Sequence, residues 1–153
     1  MHCADCDVPM TKPDPVTILL TCVGGALSVE VLRALTEQAE LPLRVIGVDC
    51  DERTPAARFV DAFHRVPAGS TSDYAACLLE LCGRERVQVL VPRADEEVEA
   101  IALAHQSFEG RGIRCAVPEV QTVRLLRHKA ALLRFLEQAG IPVAAYREVG
   151  TLQ

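Results

Sequence analysis

The chain has 153 residues, half of them apolar and 24% charged, with a net charge of -5, no Trp, two Tyr and four Phe. This balance excludes a disordered chain and suits one domain whose core is built from Leu, Val, Ala and Ile. An acidic chain with scattered basic residues lacks the basic face of a nucleic-acid binder, and no apolar run approaches the roughly 20 residues that cross a bilayer.

In chain order, residues 1–15 read as a polar leader with three prolines. Order is expected from Val16 to Val23, a continuous apolar run closed by Gly24 and Gly25, as in a strand buried on both faces of a parallel sheet. Leu27, Val31, Leu35 and Ala39, with Leu32 beside them, then follow helical spacing up to Leu41-Pro42. Leu43 to Asp49 is a second strand, and His64 to Pro67 a short strand-like piece. Ser70, Thr71, Ser72 and Asp73 are N-cap candidates for a helix with Tyr74, Cys77, Leu78, Leu81 and Cys82 on one face, and Gly83 is expected to stop it. Val87 to Val91 is a third clear strand. The next helix is expected to bury Val98, Ile101, Ala102 and His105 before Gly110 and Gly112. Ile113 to Val117 is another strand, and two helices, Glu119 to Leu126 and Lys129 to Ala139, lead to Gly140-Ile141-Pro142. Strands alternating with helices of this length predict an α/β fold, a Rossmann-like parallel sheet with helices on both faces.

Seven Cys is an odd count, and Cys22, Cys50, Cys77, Cys82 and Cys115 lie in apolar patterns, where free Cys acts as a small hydrophobe. A reducing, cytoplasmic setting is the expectation. His2, Cys3 and Cys6 offer half of a zinc site, but structural zinc wants four ligands and no second C-x-x-C follows. His64 and His128 stand alone, and His105 falls on an apolar face.

Ligands of open α/β sheets bind beyond the carboxyl ends of the strands. Here those ends carry Gly24-Gly25, Asp49 with Asp51, and Pro92 to Glu97. A glycine turn entering a helix suits an anion, or it simply makes a tight turn. A dinucleotide fingerprint is not met, because alignment on Gly25 puts Val23 and Ser28 at the other two glycine positions. Asp49, placed to grip a ribose, keeps a small NAD- or nucleotide-binding module as an alternative. Asp95, Glu96, Glu97 and Glu99 open a helix, where the dipole favours carboxylates; at a strand end they are equally placed for a substrate or metal. No G-x-S-x-G elbow and no G-x-x-x-x-G-K-[ST] phosphate loop occurs.

Taken together, these pieces resemble the N-terminal, pre-ATP-grasp domain of the ATP-grasp superfamily, with proteins like the carbamoyl-phosphate synthase large subunit as the nearest likeness. Ile18 to Gly25 matches the opening strand and turn, and Val48-Asp49-Cys50-Asp51 the second strand end. Ala57 to Pro67, with Asp61 and Arg65-Val66-Pro67, resembles the "A-D…vP" segment. Val89 to Glu97 resembles the "liP-x-x-D-E-E" strand end, and Lys129 with Leu132 to Val143 the "D-K-x-x-x-x-x-x-L-x-x-x-G-I-P-x-P" helix. The likeness spans roughly residues 16 to 149. His128 stands where the aspartate is usual, and Val143-Ala144 replaces the second proline position.

The resemblance implies ligase chemistry. ATP phosphorylates a small-molecule carboxylate, and an amine, thiol or similar nucleophile attacks the acyl phosphate. It assigns Lys129 to ATP, as a flexible point charge for phosphate, and Gly24, Gly25, Asp95 and Glu96 to substrate, with no metal ligand and no catalytic residue in this chain. ATP and Mg²⁺ belong to the complete enzyme. On this reading residues 16–127 form the pre-ATP-grasp domain and residues 128–153 a linker helix with the start of an ATP-grasp domain, the rest of which is supplied in cis or by a separate chain. A protein-interaction module, with Leu133 or Phe135 pairing copies into a homodimer, is a further alternative.

Overall fold

The computed structural model describes residues 14–38 and 40–147; the His2, Cys3 and Cys6 motif and Ala39 lie outside them. Five parallel strands form one sheet: β1 (Val16–Leu20), β2 (Leu43–Asp49), β3 (Ala62–Arg65), β4 (Val89–Val91) and β5 (Arg114–Cys115), in the order β3-β2-β1-β4-β5. The chain therefore runs outward from β1 in one direction and then restarts at β4 on the other side. This reversal places a crevice between the carboxyl ends of β1 and β4.

Alternating side chains cover both faces of the sheet. Leu19, Ile46, Val48 and Leu90 pack with Tyr74, Leu78, Leu81 and Cys82 of α2 (Tyr74–Glu85), Ile101 of α3 (Asp95–Leu103) and Phe108 of α4 (His105–Glu109). On the other face Leu20, Val23 and Val45 meet Leu32 of α1 (Ser28–Glu37) and Ala56 of a 3₁₀ turn, Pro55–Phe59. The α/β expectation, with helices on both faces, holds. Beyond the sheet, α5 (Val120–Arg127) packs on α3, and α6 (Lys129–Gln138) packs on α5.

Several boundaries differ from the sequence expectations for identifiable reasons. The first strand stops at Leu20 because the chain curls back: Val23 N–H bonds the Val48 carbonyl at 3.2 Å and Cys22 takes φ of 50°. Leu27, expected in the buried stripe of α1, is 66% exposed, and Leu32 is the buried anchor. The third strand is Ala62–Arg65, set by pairing of Ile46 with Ala62. Gly83 does not stop α2; the helix continues to Glu85 and ends at Arg86, whose left-handed backbone donates to the Cys82 and Gly83 carbonyls. The long helix after β4 breaks at Ala104, and His105 is half-exposed, 3.6 Å from Glu109, instead of core. Only Arg114 and Cys115 of the last apolar run join the sheet.

The closing turn of α2 is tied to the sheet by Glu85, which receives Arg44 Nη2 at 2.6 Å and lies 2.9 Å from His64 Nε2. Arg44 also donates to the Glu85 carbonyl at 3.0 Å. The Arg44 bond above all, then the neighbouring His64 and Arg44 charges, hold the Glu85 carboxyl below its ordinary value of 4.5. The unfolded chain takes up that proton more readily, so this contribution is complete above the ordinary value and is lost as pH falls through the lower folded value. Urea unfolding across acid pH should show stability falling below about pH 4.5 in the parent, and a shallower fall in Glu85→Gln.

Candidate functional site

The crevice is built from the residues that follow each strand. After β1, Thr21 is wholly buried and Cys22 half-buried; β2 ends on Asp49, 8% exposed, and exposed Cys50 follows. The stretch Pro67 to Ser70 follows β3, and Ala94 leads into α3 after β4. Cys22, Asp49, Cys50, the Pro67 to Ser70 stretch and Ala94, together with Glu96 and Glu97, line a cleft of about 300 Å³. A second hollow of about 510 Å³ adjoins it, sharing Gly69, Ser70 and Glu96 and reaching Arg127.

Glu97 organises the cleft. The residue is 7% exposed, and its carboxylate accepts a short hydrogen bond from Thr21 Oγ1 and the Ala94 N–H at 3.2 Å. Thr21 Oγ1 in turn accepts the Arg93 N–H at 3.1 Å. One carboxylate thus joins the end of β1, the turn after β4 and the first turn of α3, where the helix dipole also favours it. The Tyr74 hydroxyl lies wholly buried against Glu97 and Thr21. Burial, followed by the Glu97 charge, drives its ionisation well above the ordinary tyrosine range. Burial first, then Glu97 and Asp49, likewise pushes the Cys22 thiol up. Neither is a ready anion at neutral pH. The core thiols are further from reactivity: burial raises Cys82 to about 12 and Cys115 to about 11.

The sequence-predicted site residues divide into two groups. Gly24, Gly25 and Asp49 meet at one turn, but their polar groups serve the chain itself. Asp49 accepts the Gly24 N–H at 2.7 Å and the Asp51 N–H at 3.0 Å, and Gly25 N–H bonds the Cys22 carbonyl at 3.0 Å. A Cβ on Gly24 would stand 2.8 Å from Asp49 Oδ2, so a side chain there would displace the Asp49 carboxylate. The start of α1 is engaged too, since Arg93 Nη1 makes a short bond to Ser28 Oγ, which donates to the Cys22 carbonyl at 3.1 Å. Among the acidic residues, Asp95 is exposed at the start of α3 and Glu96 lines the cleft. Lys129 is exposed at the start of α6 and is not among the residues that line the cleft. Sequence reading missed the roles of Thr21, Arg93 and Glu97. The only available signal was that Glu97 stands at the third position of α3, from which a side chain can reach back to the N-cap amide.

The amino-acid sequence matches the PylC-like N-terminal domain family over residues 18–116, about two thirds of the chain. The chain belongs to that family. Solved structures agree on the fold, that of the N-terminal domain of ATP-grasp enzymes. The biotin carboxylase domain of a single-chain bacterial carboxylase superposes with a TM-score of 0.61 at 17% identity, over 89% of this chain and 31% of that one. The N5-carboxyaminoimidazole synthetase of Staphylococcus aureus, in complex with ADP, gives 0.60 at 18% identity, over 85% and 31%. A single-chain, multi-domain long-chain acyl-CoA carboxylase gives 0.62 at 21% identity, over 86% and 14%. The chain thus spans less than a third of the length of these structures. No curated protein matches it in sequence. The PylC-like family and these structures bear out the ATP-grasp resemblance at the level of this domain, without singling out carbamoyl-phosphate synthase.

Gly69 faces Glu97 so closely that an added Cβ would meet Glu97 Cγ at 2.6 Å and its backbone nitrogen at 3.0 Å. Gly69→Ala should push the stretch after β3 away from α3 and cost about 1–3 kcal/mol, as overpacking does. A urea-denaturation midpoint equal to that of the parent would show that the two segments yield freely.

Proposed function

We propose that this chain is the substrate-side domain of an ATP-dependent ligase of the ATP-grasp type, with the strand-end cleft as its substrate site. The observation that supports this best is the cleft itself: in a PylC-like N-terminal domain, it lies at the carboxyl ends of parallel strands, beside the reversal of strand order. In the proposed reaction a carboxylate takes the γ-phosphoryl group of ATP, ADP leaves, and a nucleophile attacks the acyl carbon with loss of phosphate. This chain's part is to hold a substrate where that exchange occurs, with Glu96 lining the cleft, Asp95 next to it at the start of α3, and Gly24 and Gly25 in the turn after β1. Gly24 and Gly25 serve by keeping the turn low, since their amides are already bonded.

ATP and Mg²⁺ are assigned to an ATP-grasp domain, in cis or on a separate chain. Among the described residues no three His, Cys, Asp or Glu side chains converge as metal ligands, whereas magnesium in such sites is held by carboxylates together with substrate phosphates. Helices α5 and α6 suit a bridge to that domain. Glu99 fixes α5 to α3 through a short bond from Arg127 and the Arg124 Nε at 3.5 Å, and α6 packs on α5. They also leave Leu126, Phe135 and, just beyond, Ile141 about half exposed. Lys129, at the start of α6, is placed to extend toward the nucleotide phosphates once the ATP-grasp domain is docked. A cytoplasmic location is part of the same proposal; among the described residues no helix is long and apolar enough to cross a membrane.

In the ligase completed by its ATP-grasp domain, Lys129→Ala should raise the KM for ATP by about tenfold, the loss of one charge-assisted contact to phosphate, and leave the thermal midpoint unchanged because the side chain is exposed. Unaltered ATP kinetics would remove Lys129 from the nucleotide site.

A further inference from the structure

The 3₁₀ turn Pro55–Phe59 fills its inner side with Ala56, and Val60 after it packs on the same apolar cluster. Thr54, just ahead of the turn, is buried as well. Phe59 is left on the surface, 56% exposed. Facing it, α1 turns a stripe outward in which Val29, Arg33 and Thr36 recur at helical spacing, with Val29 45% exposed. Between Phe59 and this stripe lies a hollow of about 250 Å³ that reaches buried Leu32. The Thr36 hydroxyl is spent on its own helix, donating to the Leu32 carbonyl at 3.0 Å. An apolar knob and an apolar hollow thus stand side by side on one face, away from the strand-end cleft and from α6.

The charges around this face are of both signs. Arg33 pairs with Glu37 at 2.5 Å, both well exposed, and Arg53 lies 3.6 Å from Asp51. Glu52 and Arg58 complete the set beside Phe59. Three cations and three anions leave no net charge to select an acidic or a basic partner, whereas a two-fold axis brings each sign opposite the other. Aromatic and Arg side chains are also the residue types enriched at the centres of protein interfaces. We propose that this face pairs with the same face of a second copy of the chain, each Phe59 entering the hollow on α1 of the other. The apolar surface of α6 is left free for the ATP-grasp domain, so pairing and domain docking do not compete.

Sedimentation equilibrium of the purified 153-residue chain tests the pairing. The parent should be mostly dimeric at about 0.1 mM, as for a Kd of about 10 µM or tighter. Phe59→Ser removes the knob and Val29→Arg places a charge in the hollow, and each should weaken pairing at least about tenfold. Both positions are exposed, so the circular dichroism of each variant should match the parent. Phe135→Ser, on α6, should leave pairing unchanged. A monomeric parent at that concentration would overturn the proposal. Pairing that survives either Phe59→Ser or Val29→Arg, or that is abolished by Phe135→Ser, would overturn it too, by placing the contact on another face.

Discussion

A carboxylate buried among the ends of parallel strands is costly unless donors hold it, and the geometry of the cleft depends on how Glu97 meets that requirement. Thr21 at the end of β1 and Ala94 ahead of α3 both donate to Glu97 Oε2, and Thr21 accepts from Arg93 in turn. Two stretches distant in sequence, Thr21 and residues 93–97, are therefore fixed at one point. The Pro67 to Ser70 stretch closes over the same residue, with Gly69 packed against its main chain. The cleft follows from this arrangement: the strands stop, the chain segments splay apart, and the space between them is floored by Glu97 and walled by what it holds.

The rest of the fold brings these segments to one edge. A five-stranded parallel sheet must be covered on both faces, and the alternation of Leu19 with Leu20 and of Val45 with Ile46 sends side chains into two separate clusters. Helix α1 covers one face, and α2, α3 and α4 the other, so each crossover returns the chain to the same end of the sheet. At the opposite end of α2, Arg44, Glu85 and His64 tie helix to sheet. The polar interactions thus work at the two ends of an apolar interior, one anchoring the scaffold and the other shaping the site.

The α/β architecture was legible in the sequence because long apolar runs such as Leu43 to Asp49 alternate with helix-spaced segments such as Tyr74 to Cys82. Local signals misled where tertiary contacts decide. Gly83 reads as a helix stop, yet burial of Leu81 and Cys82 carries α2 past it to a left-handed Arg86. The apolar run after Leu20 reads as more strand, yet bonding of Val23 to Val48 curls it. The site was legible only in outline. Strand-end glycines and acidic residues marked the region, but periodicity cannot reveal that Asp49 is committed to Gly24, that Glu97 reaches back to Thr21, or that Glu96 faces the cleft while Asp95 does not line it. Those relations join residues up to 76 positions apart.

The account makes this chain the substrate-holding half of a ligase whose nucleotide pocket is formed by an ATP-grasp domain. Isothermal titration of the purified 153-residue chain with ATP and Mg²⁺ tests that division most directly. The account predicts no saturable heat, since Lys129 alone cannot hold a nucleotide. Saturable binding of Mg·ATP to the isolated chain would contradict it, because the chain would then own a complete nucleotide site and the strand-end cleft would have to be reassigned.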